Sequence, residues 1–159
     1  MRKFIIEPFI GVGPVRIGMT RAEVLRAMSG RKSDPFRKGP DAIHETDAFY
    51  GSCFQVFYEG AARHPVVDFI ELSRGYGLRP FYRDCDVFGT PAAKVVAQIS
   101  QDCPYDADDP DIPYSYLFRK LQLSLWRQCV PESARDKEGR YFDTIGIGRK
   151  GYYDGVAAT

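Results

Sequence analysis

Long apolar runs are missing from this chain, and so is any excess of one charge. No window approaches the roughly twenty apolar residues that a membrane-spanning helix requires. The opening, MRKFIIEPFIGVGP, is too short and too interrupted in its apolar part to read as a secretory signal. The cytoplasm is therefore the expected compartment. Lysine and arginine number 22 against 21 aspartates and glutamates, for a formal charge of +1. That balance leaves no field to gather nucleic acid or an anionic membrane. The basic pairs Arg31-Lys32 and Arg37-Lys38 have no interleaved aromatics and add no nucleic-acid signature.

Paired cysteine and histidine are equally scarce. Cys53, Cys85, Cys103 and Cys129 contain no C-x-x-C, and only His44 and His64 stand by to complete a metal set. Free thiols are expected, not a disulfide or a zinc site. Acidic neighbours raise the pKa of Cys103, which makes it a poor nucleophile. The acidic loop DCPYDADDPDIP spaces Asp106, Asp108 and Asp111 like calcium ligands. Counted from Asp106, however, the sixth residue is Asp111 where a glycine is needed, and the twelfth is Leu117 where a glutamate is needed. Gly11-Val12-Gly13 lacks the third glycine of a phosphate cradle and runs into Pro14, which has no N–H to offer. No metal, no cofactor and no catalytic constellation are expected. The chain reads as a non-enzyme.

The sequence does carry 14% aromatic residues, ten of them tyrosine, in a chain with the ordinary 44% hydrophobic content of a globular fold. Its organising stretch is Pro14 to Gly30. Thr20 and Glu23 have capping-box spacing, Val24, Leu25 and Met28 form an apolar stripe, and Gly30 suits a left-handed stop. Residues 3–10 read as an edge strand because of Pro8, and Arg31 to Thr46 as a loop. Strands are expected over 47–59 and 66–73, then a joint over 74–80, then a strand over 81–88. Thr90 as N-cap and Pro91 at the first helical position open a second helix, with Val95, Val96 and Ile99 on its apolar face. Strands over 114–119, 121–127 and 140–148 follow the acidic loop, and the tail frays beyond Tyr153.

The two halves resemble each other. Gly18-Met19-Thr20 through Val24 and Met28 matches Gly89-Thr90-Pro91 through Val95 and Ile99. Asp68 to Arg74 matches Asp143 to Arg149 in the pattern D-x-I-x-Φ-x-R, at nearly the same offset. The expected fold is α+β, a tandem repeat of one helix followed by antiparallel strands, divided as 1–78 and 79–159 within one structural unit whose halves share a continuous or closely abutted sheet, helices on one face. Alternation turns Ile70, Leu72, Ile145 and Ile147 toward the helices. It turns Gln55, Phe57, Phe69, Glu71, Gln122 and Trp126 to an open aromatic–amide face on the other side.

The string VRIGMTRAEV is similar to the G-M-[ST]-x-x-[EQ]-V opening of the outer-membrane assembly lipoprotein BamE and its relatives. The repeated unit resembles the tandem helix-plus-sheet modules of the β-lactamase-inhibitor protein. GVGPVRIGMTRAEVLRAM resembles the start of small bacterial proteins that include immunity proteins. MSGRKS stands where the BamE helix ends in L-G-x-P, so the likeness implies the fold and not the outer-membrane role. It implies a cytoplasmic protein-binding module, in its sharpest form an immunity protein occluding a toxin, with the open face as its binding site. A small-ligand carrier would show a closed apolar pocket instead. A hydrolase would bring His44 and Cys103 into one cleft.

Overall fold

Thr20 opens the first helix, α1 (Arg21–Ala27), in the computed structural model, which describes residues 2–155. Its hydroxyl oxygen accepts from the Glu23 N–H at 3.3 Å and donates to the Glu23 carboxylate at 3.0 Å. Seven residues are too few to hold a helix in water unaided, so burial must hold it. Val24 and Met28 supply that burial, whereas Leu25 is 36% exposed. Leu25 lies a full 100° around the helix from Val24 and falls off the buried stripe. Ser29 and Gly30 both turn left-handed and stop the helix.

The strands are numbered in chain order. A five-stranded sheet contains β1 (Arg2–Glu7), β2 (Gly11–Val12), β3 (Val15–Arg16), β7 (Leu78–Tyr82) and β8 (Cys85–Asp86), in the order β3-β2-β1-β7-β8. At its centre β1 and β7 run parallel, from Arg2 opposite Leu78 to Ile6 opposite Tyr82. The expected edge position of the first strand is therefore corrected. The strand stops at Glu7, so Pro8 falls in the turn and removes no ladder hydrogen bond. The continuous strand expected over 81–88 is instead the hairpin β7–β8, which turns at a left-handed Arg83. The strand expected over 47–59 is also a hairpin, folded at the left-handed run Tyr50, Gly51 and Ser52.

The second sheet has six strands: β4 (Asp47–Phe49), β5 (Phe54–Glu59), β6 (Val66–Ser73), β9 (Ser115–Phe118), β10 (Leu123–Trp126) and β11 (Thr144–Gly148). Their order is β4-β5-β6-β11-β10-β9, and every pair is antiparallel. The class is α+β and dominated by strands. The second helix, α2 (Ala92–Ser100), begins one residue later than expected. Pro91 occupies the cap and no side chain caps the helix, so Thr90 is not its N-cap. Ahead of the helix, the Asp86 carboxylate accepts from the Gly89 N–H at 3.0 Å.

One core serves both sheets. Ile70, Leu72, Ile145 and Ile147 join Val24, Met28, Val95 and Ile99 in a single buried cluster with Phe4, Ile6, Leu78 and Tyr82. The division expected after residue 78 falls inside β7. Strands from either side of it pair directly, β1 with β7 and β6 with β11.

The two D-x-I-x-Φ-x-R segments lie side by side at the middle of the large sheet. Ile70 faces Ile147 and Leu72 faces Ile145. The ends are reciprocal, since the Arg74 N–H donates to the Asp143 carbonyl and the Arg149 N–H to the Asp68 carbonyl, both at 2.8 Å. Arg74 also meets the Asp143 carboxylate at 3.6 Å, whereas the Arg149 guanidinium turns to Glu59 at 2.7 Å.

Candidate functional site

The face of the large sheet turned away from the core is set by strand alternation. Gln55, Glu71, Gly146 and Ser124 form one row across β5, β6, β11 and β10. Phe57, Phe69 and Gly148 form the next row. Ser73, Thr144, Trp126 and Ser115 form the row on the other side. The rows expected from the sequence are thus present, yet the face is not open along its whole length.

The C-terminal turn covers part of it. Tyr152 stacks on Phe69 with ring centroids 4.6 Å apart, and Tyr153 meets the same ring edge-on at 6.1 Å. The Tyr153 hydroxyl donates to Ser124 Oγ at 2.8 Å. Two glycines make room for these rings. A side chain at Gly146 would collide with the Phe69 ring, and one at Gly148 would meet Tyr152 Cβ at 2.5 Å. Phe69 is therefore buried and is not the exposed anchor expected of it.

Gln122 is corrected too. It is buried in a left-handed conformation after a short 3₁₀ turn. Its amide donates to the Arg119 carbonyl at 2.7 Å and to Asp154 at 3.0 Å, and its carbonyl oxygen accepts from the Tyr153 N–H at 2.6 Å. Gln122 is the clip that holds the C-terminal turn down. The fray expected beyond Tyr153 does not begin there, because Asp154 is held by this amide. The sequence signal for the cover was two glycines inside one strand, followed by two tyrosines.

The other flank is walled by the long loop after α1. Asp47, fully buried, fixes that loop by accepting from Arg21 Nε and Nη2 at 2.9 and 3.0 Å, Ser33 Oγ at 2.7 Å and the Tyr58 hydroxyl at 2.6 Å. Burial pushes this carboxyl up, but the hydrogen bonds from Arg21, Tyr58 and Ser33 outweigh burial and hold it below the usual range. The loop then carries Lys38 over the Phe57 ring, 5.1 Å from its centroid.

Between these walls lie Gln55, Glu71 and Trp126. Gln55 donates to the Ser52 carbonyl at 3.1 Å. Glu71 is half-buried, and burial pushes its carboxyl up while Lys38 works against that shift. Among the described residues its side chain makes no direct hydrogen bond or ion pair, and Lys38 acts on it only through space. Trp126 stands 46% exposed, with its strand neighbour Leu125 fully buried on the reverse face. Four of the six expected residues, Gln55, Phe57, Glu71 and Trp126, thus reach this surface. Phe69 and Gln122 support it from beneath the C-terminal turn.

The other candidates do not gather. His44 bonds through Nε2 to the Gly60 carbonyl at 2.7 Å and lines an open cleft of about 390 Å³ with Lys38, Phe57 and Glu59. No cysteine lines that cleft. Cys103 is buried in the core behind α2, and burial raises its thiol pKa. In the acidic loop Asp106 is engaged by Arg119 at 2.9 Å and by the Asp108 N–H at 3.1 Å. The Arg119 hydrogen bond holds its carboxyl below the ordinary value. Among the described residues no three histidines, cysteines or acids group as a metal site. No described helix is long and apolar enough to cross a membrane. No protein-family model, curated protein or solved structure matches the chain.

Proposed function

We propose that this protein is a non-enzymatic protein-binding module that docks its partner on the exposed part of the large sheet, around Trp126. The observation that carries the reading is the contrast on one face. Phe69 is buried under the C-terminal turn, and Trp126 is left 46% exposed. A half-exposed tryptophan on a rigid strand can bury a large area at little cost in conformational freedom, as interface anchors do. Glu71 adds the charge preference. A half-buried carboxylate with no direct ion pair, on which only Lys38 acts through space, gains from a cation brought by the other protein. The partner is therefore basic where it meets this face. Neutralisation of a toxin in the cytoplasm, by an immunity protein, is the form of this function that the sequence resemblance suggests.

The fold is proposed to be a tandem repeat. The order β4-β5-β6 against β9-β10-β11 and the reciprocal Asp68–Arg149 and Asp143–Arg74 main-chain bonds support that reading.

The test uses the single tryptophan as both anchor and reporter. A protein captured from native cytoplasm is purified and titrated against the chain, with Trp126 emission recorded. Binding should shift the emission, and Trp126→Ala should keep its melting temperature while weakening the complex by at least about thirtyfold, the loss of roughly 2 kcal/mol typical of an anchor. A partner that binds Trp126→Ala as tightly as the parent would refute the site.

A further inference from the structure

Away from the large sheet's outer face, three segments distant in sequence meet at the Tyr50–Gly51 turn. Arg2, at the start of β1, and Arg31, just after α1, both lie over its ring, at 5.0 and 4.3 Å from the centroid. Arg2 is fixed further by a 3.1 Å hydrogen bond from Nη1 to the Tyr76 carbonyl. Tyr76, in the turn between β6 and β7, is 63% exposed and lies against Gly51, where any side chain would collide with its ring. Both tyrosines are left-handed, at φ 53° each. Non-glycine residues held in that region are strained, and such strain collects at ligand sites. Neither arginine has a carboxylate within ion-pair distance among the described residues.

Both guanidiniums lie against one ring without a carboxylate partner, and the electron-rich ring of Tyr50 supplies only a weak counter-charge. A dianion would supply the rest. We propose that Arg2, Arg31, Tyr50 and Tyr76 form a binding site for a phosphoryl group. A phosphate carries the charge of both arginines and offers oxygens to each planar fork, whereas a carboxylate neutralises only one. The exposed ring of Tyr76 gives the site a stacking platform, so a phosphomonoester that carries an aromatic group is favoured over free phosphate. The site shares no residue with the proposed docking face and stands independently of it.

Calorimetric titration of the full chain at low salt with inorganic phosphate, and separately with adenosine monophosphate, tests this. Both should bind saturably, and the nucleotide at least tenfold more tightly. Arg2→Gln and Arg31→Gln should each weaken both ligands at least tenfold. Tyr76→Ala should remove the nucleotide's advantage over free phosphate. Arg2→Lys and Arg31→Lys keep the charge but lose the fork and should fall between. Arg63→Gln, at an exposed site elsewhere, is the control for charge alone. All these side chains except that of Tyr50 are exposed, and circular dichroism would verify each variant's fold. The proposal is overturned if neither ligand saturates, or if Arg63→Gln weakens binding as much as the two site variants. Equal affinity of the two ligands would overturn the stacking platform.

Discussion

Replacing Asp47 by asparagine removes one charge from a site where four donors converge on a fully buried carboxylate. The amide oxygen can still accept from some of them. The amide nitrogen, itself a donor, must point at others, and only the Ser33 and Tyr58 hydroxyls can rotate to accept from it. Arg21 keeps its donors facing the site but loses its counter-charge. Breaking a buried ion pair costs about 3–5 kcal/mol. Because the Arg21 side chain is 39% exposed and can recover water, the lower end applies, about 3 kcal/mol. In a domain of this length that is a fall in melting temperature of roughly 6–12 °C.

The pH dependence has a definite sign. The folded carboxyl titrates below its unfolded value, so its stabilisation is complete above the unfolded pKa, about 3.9, and is lost as the pH falls through the folded pKa. Urea unfolding of the parent and of Asp47→Asn should show a gap of about 3 kcal/mol at pH 7 that narrows below about pH 4, with the slope m unchanged. A gap under 1 kcal/mol at pH 7, or one as large at pH 3 as at pH 7, would refute the assignment of Asp47 as an ionised clamp.

Three further outcomes are expected. Gly148→Ala places a methyl group 2.5 Å from Tyr152 Cβ, so it should cost roughly 1–3 kcal/mol, as overpacking does, and should make Tyr152 more accessible to nitration. Burial raises the thiol pKa of Cys53, Cys85 and Cys103, whereas Cys129 is exposed. A thiol reagent at pH 7 should therefore modify Cys129 first in the native protein and all four cysteines after unfolding, as mass spectrometry would show. Glu71→Gln should flatten the salt dependence of association with a basic partner and also speed dissociation, read by stopped-flow, because a half-buried carboxylate paired in the complex acts on its lifetime.

The elements legible in the sequence were those with long periodic patterns. Val24 and Met28, Val95 and Ile99, and the alternation of β6 and β11 all point where periodicity sends them. The small sheet was not legible. Its strands β2, β3 and β8 are two residues long, too short to show a period, and its central pair joins residues more than seventy positions apart. Turns that rely on left-handed tyrosine, serine or arginine, at Tyr50, Ser52 and Arg83, also carry no sequence signature, because only glycine and asparagine advertise that conformation. At the candidate site the face of each residue was legible from alternation, as for Trp126 and Glu71. Cover was not. Whether a side chain on a given face meets solvent depends on what the rest of the chain lays over it, and the fate of Phe69 was decided by Tyr152, more than eighty residues away.

That cover also bears on how a partner can dock. An unbroken outer face would present a large apolar area and the edge-free middle of a sheet, a surface prone to indiscriminate association. With Tyr152 and Tyr153 laid over Phe69 and Ser124, the accessible part is narrowed to Trp126, the small hydroxyl residues Ser73, Thr144 and Ser115, and the half-buried Gln55, Phe57 and Glu71. One anchor, one half-buried carboxylate and a floor of small polar side chains are what the proposed docking reading needs for discrimination. In the proposed complex the anchor would supply affinity, and the half-buried carboxylate would penalise any partner that fails to bring a cation. The covering turn is held to the sheet through Gln122, whose amide makes three hydrogen bonds to it and to the 3₁₀ turn. On the proposed docking reading, specificity at Trp126 depends on Gln122, which lies beneath the C-terminal turn and limits the docking face without being part of it.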